Sequence, residues 1–163
     1  MTSTKHKIFN LLLVFIPWLT VLFIGKKSLK RYSLSSIIIG IYEILSHVQG
    51  RKKKYWKFYD KPKNFLRDEL PFDIGPYVPA SMWILKYTYG NFKKFVLVNG
   101  IFDAIFAFLF IPFLEKIKIL RLHRLNYLQF FFYIHYKAYL LYGVQYIVEK
   151  VKGSNSLDKR FGS

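Results

Sequence analysis

The chain has 163 residues, and 26 Lys plus Arg stand against 9 Asp plus Glu, for a formal net charge of +17. Apolar residues make up 53% and aromatics 20%, which excludes a disordered chain; the lack of cysteine excludes a disulfide scaffold, thiol catalysis, iron–sulfur ligation and Cys-based zinc sites. The apolar residues fall in long blocks with charges between them, which is the pattern of a small multi-pass membrane protein rather than of a soluble domain.

In chain order, the first apolar block covers 8–25 and carries no charge. Lys5 and Lys7 precede it, and a basic run, Lys26-Lys27-Ser28-Leu29-Lys30-Arg31, follows where a signal peptide would show a small-residue cleavage site. It therefore reads as an uncleaved anchor, kinked at Pro17. A second span, 33–48, is apolar at Ile37-Ile38-Ile39 but carries Glu43 and His47. The connector 50–70 holds Arg51, Lys52, Lys53, Lys54, Lys57, Lys61, Lys63 and Arg67, interleaved with Tyr55, Trp56, Phe58, Tyr59 and Phe65. Aromatic rings favour the headgroup zone and lysines snorkel there, so this segment is expected on the membrane surface, with Pro62 limiting any helix. A third span, 74–89, has Pro76 and Pro79 early and Lys86 late. It is short for a crossing, which leaves a re-entrant element as the alternative. Gly90-Asn91 turns the chain into a strongly apolar span, 95–114, with Asn99 and Asp103 inside. Lys116, Lys118, Arg121 and Arg124 form the next connector; a Tyr- and Phe-rich span, 125–148, carries His135 and Lys137. A polar tail, flexible from 154 to 163, ends the single domain of 1–153.

The distribution of Lys and Arg orients these spans. Five crossings with the N-terminus inside put 14 basic residues on the cytoplasmic side and 10 outside. If 74–89 does not cross, the split is 17 to 8; if 33–48 does not cross and the N-terminus lies outside, it is 16 to 8. All three arrangements keep the 51–67 connector in the cytoplasm. Charge thus favours four crossings, while segment count favours five.

An ionisable group at bilayer depth costs roughly 2.5–3.5 kcal/mol on insertion scales, so it faces a partner or a cavity. The groups in question are Glu43, His47, Asp73, Lys86, Asp103, His135 and Lys137, with Asn99 as a polar companion. Glu43 and His47 are four apart and share a helix face, as do Asn99 and Asp103. Asp103 falls nearest mid-membrane. His135 and Lys137, two apart, cannot share a face, whereas Tyr139, Tyr142 and Tyr146 align with His135. Three readings fit these groups: interhelical packing contacts, a proton or cation site centred on Asp103, and a metal site built from Glu43, His47, Asp103 and His135. The spacing matches neither the zinc-protease nor the di-iron helix motif, so no metal or cofactor is assigned. No nucleophile motif, phosphate-binding glycine loop or nucleic-acid motif is present, so neither an enzyme nor a nucleic-acid binder is expected.

The stretch Leu70-Pro71-Phe72-Asp73-Ile74-Gly75-Pro76, then Trp83-Ile84-Leu85-Lys86-Tyr87-Thr88-Tyr89-Gly90, then Asn99 and Asp103, resembles small multi-pass proteins of spore-forming Gram-positive bacteria, a group without an assigned activity. The likeness extends through Tyr142-Gly143-Val144-Gln145. It implies a bacterial cytoplasmic-membrane protein and transfers no catalytic residue. The expectation is therefore an all-α integral membrane bundle of five transmembrane helices, or four plus a re-entrant segment. It acts without catalysis by helix packing, as a homo-oligomer or with a membrane partner, and by binding anionic headgroups through Arg51, Lys52, Lys53, Lys54 and Lys57. A proton- or ion-coupled transporter or channel subunit using Asp103 is the alternative.

Overall fold

Helix α1 (Thr4–Val21) and helix α2 (Lys26–Lys52) are joined by a tight turn at Gly25, whose φ of +85° suits a residue without a side chain. The structure is a computed structural model that describes residues 4–59, 65 and 69–161, the side chains of residue 5 and of 154–161 excepted. Lys61, Pro62, Lys63 and Arg67 of the basic connector lie outside the described residues. Beyond α2 come strand β1 (Trp56–Phe58), the short helix α3 (Leu70–Ile74) and helix α4 (Tyr77–Thr88). Helix α5 (Phe92–Ile105) continues through a π-helical stretch (Phe106–Phe110) into α6 (Ile111–Lys116); strand β2 (Leu120–Leu122) and the long helix α7 (Tyr127–Phe161) complete the chain. The backbone of α7 stays helical past Gly153, where the sequence reading begins a flexible tail.

Local sequence explains the boundaries. Asn91 caps α5, its side-chain oxygen accepting from the Lys94 amide at 3.0 Å. Asn126 and Gln129 cap α7 reciprocally: Asn126 Oδ1 accepts from the Gln129 amide and Gln129 Oε1 from the Asn126 amide. Both α2 and α6 end on a lysine in the left-handed conformation, Lys54 (φ 57°) and Lys118 (φ 56°). Each ending makes the paired hydrogen bonds of a Schellman motif, Tyr55 N to Gly50 O with Lys54 N to Arg51 O, and Ile119 N to Leu114 O with Lys118 N to Glu115 O. The π-helical stretch lies just before Pro112, which has no N–H to donate and whose ring would clash with the Phe108 carbonyl; the wider turn absorbs both.

The helices run back and forth between two ends. At one end β1 and β2 pair antiparallel, with Lys57 opposite Arg121, and His6 of α1 stacks on Phe58. At the other end Arg31 pairs with Glu149 and lies between the rings of Tyr32 and Tyr89. The two basic connectors thus share one end, as the five-crossing arrangement expects, and the 50–70 connector contributes the strand Trp56–Phe58.

Burial is inverted. On α2 the buried positions are Tyr32, Ser35, Ser36, Ile39, Gly40, Ser46, His47 and Gly50, while Leu34, Ile37, Ile38, Ile41 and Leu45 face outward. On α5 Phe95 and Asn99 are buried and Leu97, Ile101, Phe102 and Ile105 are exposed. Lys137 and Gln145 of α7 are 0% exposed, whereas Leu22 and Phe23 beside them in size are 77% and 79% exposed. Among the described residues one helix, Phe92–Lys116, is long and apolar enough to cross a bilayer; His6–Val21 is apolar but shorter. Inside, one apolar cluster (Tyr32, Ile39, Ile84, Leu85, Phe95, Ala138, Leu141) and another (Trp56, Ala107, Ile111, Leu114, Ile119, Leu120, Phe130) occupy the two halves. A polar layer separates them.

Candidate functional site

Helices α2, α3 and α5 build the polar layer, and α7 faces them with its counter-charges. Helix α2 supplies Glu43 and His47, one turn apart on its inner face; α3 supplies Asp73; α5 supplies Asn99 and Asp103, again one turn apart. All five line one cavity of about 220 Å³, far above the roughly 10–15 Å³ that admits a water. Members of both apolar clusters close it above and below, among them Ile84, Leu141, Trp56 and Phe130.

The charges come as pairs. Lys137 Nζ of α7 meets Glu43 Oε2 at 2.5 Å, with the lysine side chain 1% exposed. His135 Nδ1, one helical face away on α7, meets Asp103 Oδ2 at 2.8 Å. His47 stands between two carboxylates, Nδ1 to Asp73 Oδ1 at 2.8 Å and Nε2 to Glu69 Oε2 at 3.2 Å. A neutral imidazole carries one N–H, so the ring satisfies both acceptors only as an imidazolium. Arg51 reaches the far oxygen of Glu69 at 3.3 Å from the surface side. Asp73 is 4% exposed, and its Oδ2 has no hydrogen-bond partner among the described residues. Phenols complete the layer: Tyr133 donates to the Ser46 carbonyl at 2.8 Å, and Tyr42 and Tyr136 lie 3.0 Å apart, oxygen to oxygen.

Of the groups singled out in the sequence, Glu43, His47, Asp73, Asn99 and Asp103 converge on the cavity. His135 and Lys137 stand behind it as counter-charges. Lys86 does not join them: its ammonium lies over the rings of Trp83 (4.7 Å) and Tyr87 (5.4 Å), away from the cavity, because α4 turns that face outward. Asn99 spends one amide hydrogen on the Phe95 carbonyl of its own helix. Of the tyrosines aligned with His135, Tyr142 packs against Phe92 and Phe95 and Tyr139 against Phe92 and edge-on to His135, while Tyr146 is exposed. Glu69 is the member the sequence reading missed. Its signal was its sign, an acid at the end of a basic connector. Of the expected headgroup contacts, Lys52, Lys53, Lys54 and Lys57 are exposed, and Arg51 divides itself between solvent and Glu69. Among the described residues no three His, Asp or Glu side chains converge tightly enough to hold a metal ion.

A further charged pair, Arg31 with Glu149, lies at the opposite end. Arg31 Nε and Nη2 donate to the two oxygens of Glu149, and Gln145 donates a third hydrogen bond. The Arg31 hydrogen bond holds the Glu149 carboxyl below its ordinary value. Set against known protein families, curated proteins and solved structures, the chain matches none.

Proposed function

We propose that the chain is a multi-pass protein of the bacterial cytoplasmic membrane, with five crossings and its N-terminus and both basic connectors on the cytoplasmic side. It works without catalysis, as a binding protein. The observation that carries this reading is charge buried beneath an apolar surface: Lys137, Glu69, Asp73, His47 and Gln145 lie inside, while many large apolar side chains, Leu22, Phe23, Leu97 and Leu109 among them, face outward. Water as the outer solvent would penalise that surface; a bilayer makes it the stable one. Small residues on the inner face of α2 let its neighbours approach closely, as helices in lipid require. The shared end of β1 and β2 supports an even number of crossings between the two connectors, and α2, which runs from Arg31 at the opposite end to β1, supports a crossing of its own, hence five in all rather than four. The resemblance to small multi-pass proteins of spore-forming bacteria supports the same compartment.

Labelling of single cysteines from outside intact cells tests this. Cysteine at Ser28, Asn91 and Ser154 is expected to label, and cysteine at Asn64 and His123 to stay protected. Protection at Asn91 with labelling at His123 refutes five crossings. Replacing Arg51, Lys52, Lys53, Lys54 and Lys57 together by glutamine is expected to remove the preference for anionic lipid, each charge contributing about 1 kcal/mol; an unchanged preference refutes the headgroup role.

A second reading, a proton- or ion-coupled transporter or channel subunit, is favoured by the cavity itself, since Asp103 lines it and faces a histidine. Asp103→Asn is expected to abolish flux while leaving assembly intact; loss of folding alone favours the packing role.

A further inference from the structure

Four carboxylates belong to the polar layer, Glu43, Glu69, Asp73 and Asp103, against two fixed cations, Arg51 and Lys137. The remaining partners are the imidazoles of His47 and His135. With both imidazoles protonated the layer is neutral; with both neutral it carries two uncompensated negative charges. Uncompensated charge in a low-dielectric interior is costly, so each lost proton leaves a place for another cation. The titratable groups facing His47 are Asp73 of α3 and Glu69 just before it, and those facing His135 are Asp103 of α5 and Tyr139 of its own helix; on α1, His6 stacks against Phe58 at the connector end.

The cavity in the midst of these charges is mostly apolar. Glu43, Asp73 and Asp103 sit on its wall among Tyr77, Ile84 and Phe106. Asp73 Oδ2 is buried there and has no hydrogen-bond partner among the described residues. Phe102 of α5 both lines the cavity and is 54% exposed on the outer surface. The adjoining π-helical stretch places the widest turn of that helix beside it, a frequent feature of functional sites.

We propose that this cavity binds a monovalent organic amine in exchange for a proton: the ammonium takes its place among Glu43, Asp73 and Asp103, its apolar body packs against the aromatic wall, and one imidazolium proton leaves. Charge balances, since one cation enters for each proton released. The inference deepens the binding reading above and rests on it. A small inorganic cation would leave the apolar wall without a role, and a neutral ligand would leave the carboxylates without one.

The test is calorimetry on the purified full chain in detergent, in two buffers of different ionisation enthalpy, with phenethylammonium as probe and 2-phenylethanol as its neutral counterpart. The amine is expected to bind with release of about one proton, and more than tenfold more tightly near pH 8 than near pH 6. The alcohol is expected not to bind. Equal binding of amine and alcohol, binding without proton release, no amine binding at either pH, or the same proton release on adding sodium chloride overturns the proposal. Asp73→Asn is expected to weaken the amine more than tenfold. Should that variant fail to fold, Ala80→Phe, which fills the cavity and keeps every charge, decides: retained binding overturns the proposal. Cysteine labelling of the same protein keeps the two readings apart, because a five-crossing topology with no amine binding overturns this inference alone.

Discussion

Lys137→Met removes the most deeply buried cation of the polar layer and leaves Glu43 facing an apolar wall. Lys137 is 1% and Glu43 13% exposed at the side chain, so water reaches neither freely. Breaking such a pair from one side costs about 3–5 kcal/mol if the survivor stays charged. The survivor has an escape, which is to take a proton. An ordinary glutamate titrates near pH 4.3, so holding one protonated at pH 7 costs about 3.7 kcal/mol at 1.36 kcal/mol per unit. That caps the loss at neutral pH, and at pH 5 the cap falls to about 1 kcal/mol by the same arithmetic. Glu43→Gln combined with Lys137→Met removes both charges and is expected to recover most of the stability, giving a coupling of about 2–3 kcal/mol in the double-mutant cycle. Equilibrium unfolding by a denaturing detergent, followed by helical circular dichroism at the two pH values, measures all four species. A single variant that loses under about 1 kcal/mol at pH 7, or whose loss does not shrink at pH 5, refutes the reasoning and reduces the pair to an average membrane polar contact of about 0.6 kcal/mol.

Gly75→Ala is expected to lose about 1–3 kcal/mol in the same assay, because an added methyl would lie 2.5 Å from the backbone oxygens of Leu13 and Pro71, neither of which is free to move. Lys118→Gly relieves a left-handed lysine at a Schellman ending and is expected to stabilise by up to about 1 kcal/mol; no gain would mean that the lysine side chain contributes an offsetting contact. Because the folded Glu149 carboxyl titrates lower than in the unfolded chain, its contribution is full above the ordinary carboxyl range and lost as pH falls through the folded value. The pair is partly exposed, so the loss should stay within about 1 kcal/mol and vanish in Glu149→Gln when stability is followed from pH 6 to pH 2. Cysteines at Lys57 and Arg121 face each other in the strand pair and are expected to cross-link on mild oxidation of the otherwise cysteine-free chain; failure to cross-link refutes the shared end of the two connectors.

The helices were legible because charge and apolar blocks alternate, and their ends lay within a few residues of basic runs and Asn or Gly turns. The pairs Glu43 with His47 and Asn99 with Asp103 were legible as shared faces from their spacing of four, and both faces do meet at one cavity. What spacing along one helix does not contain is the partner on another. That Lys137 opposes Glu43 and His135 opposes Asp103 depends on the order in which α2, α5 and α7 pack, which pairs residues 94 and 32 positions apart. Lys86 illustrates the same limit: a lysine in an apolar run reads as buried until the helix is given a rotation, and α4 turns it onto Trp83 instead. The strand pair was invisible for another reason. Three residues on each side, Trp-Lys-Phe and Leu-Arg-Leu, are too short to show alternation, and only the two left-handed lysines that aim them together make them a pair.

The short central arm shows why a chain of this size can afford irregular backbone in its interior. Helix α4 spans 12 residues, about 18 Å, too little for a hydrocarbon core of about 30 Å, and the chain reaches the connector end only through the break at Gly75-Pro76 and the extra turn of α3. In lipid, such a break is tolerated only where other protein surrounds it and satisfies the freed groups. Helix α1 does this. Its Trp18 donates its indole N–H to the Ile74 carbonyl at 3.0 Å, and its Thr20 hydroxyl accepts from the indole of Trp83 at 2.9 Å. In return the break serves α1. Pro17 has no N–H for the Leu13 carbonyl four residues back, and that carbonyl points at Gly75, the one residue whose bare Cα can approach it and offer a weak C–H contact. Pro17 and Gly75 therefore form a matched pair, each defect covered by the other. Their fit fixes the depth of α1 against the arm that carries Asp73, and so the position of that carboxylate in the cavity.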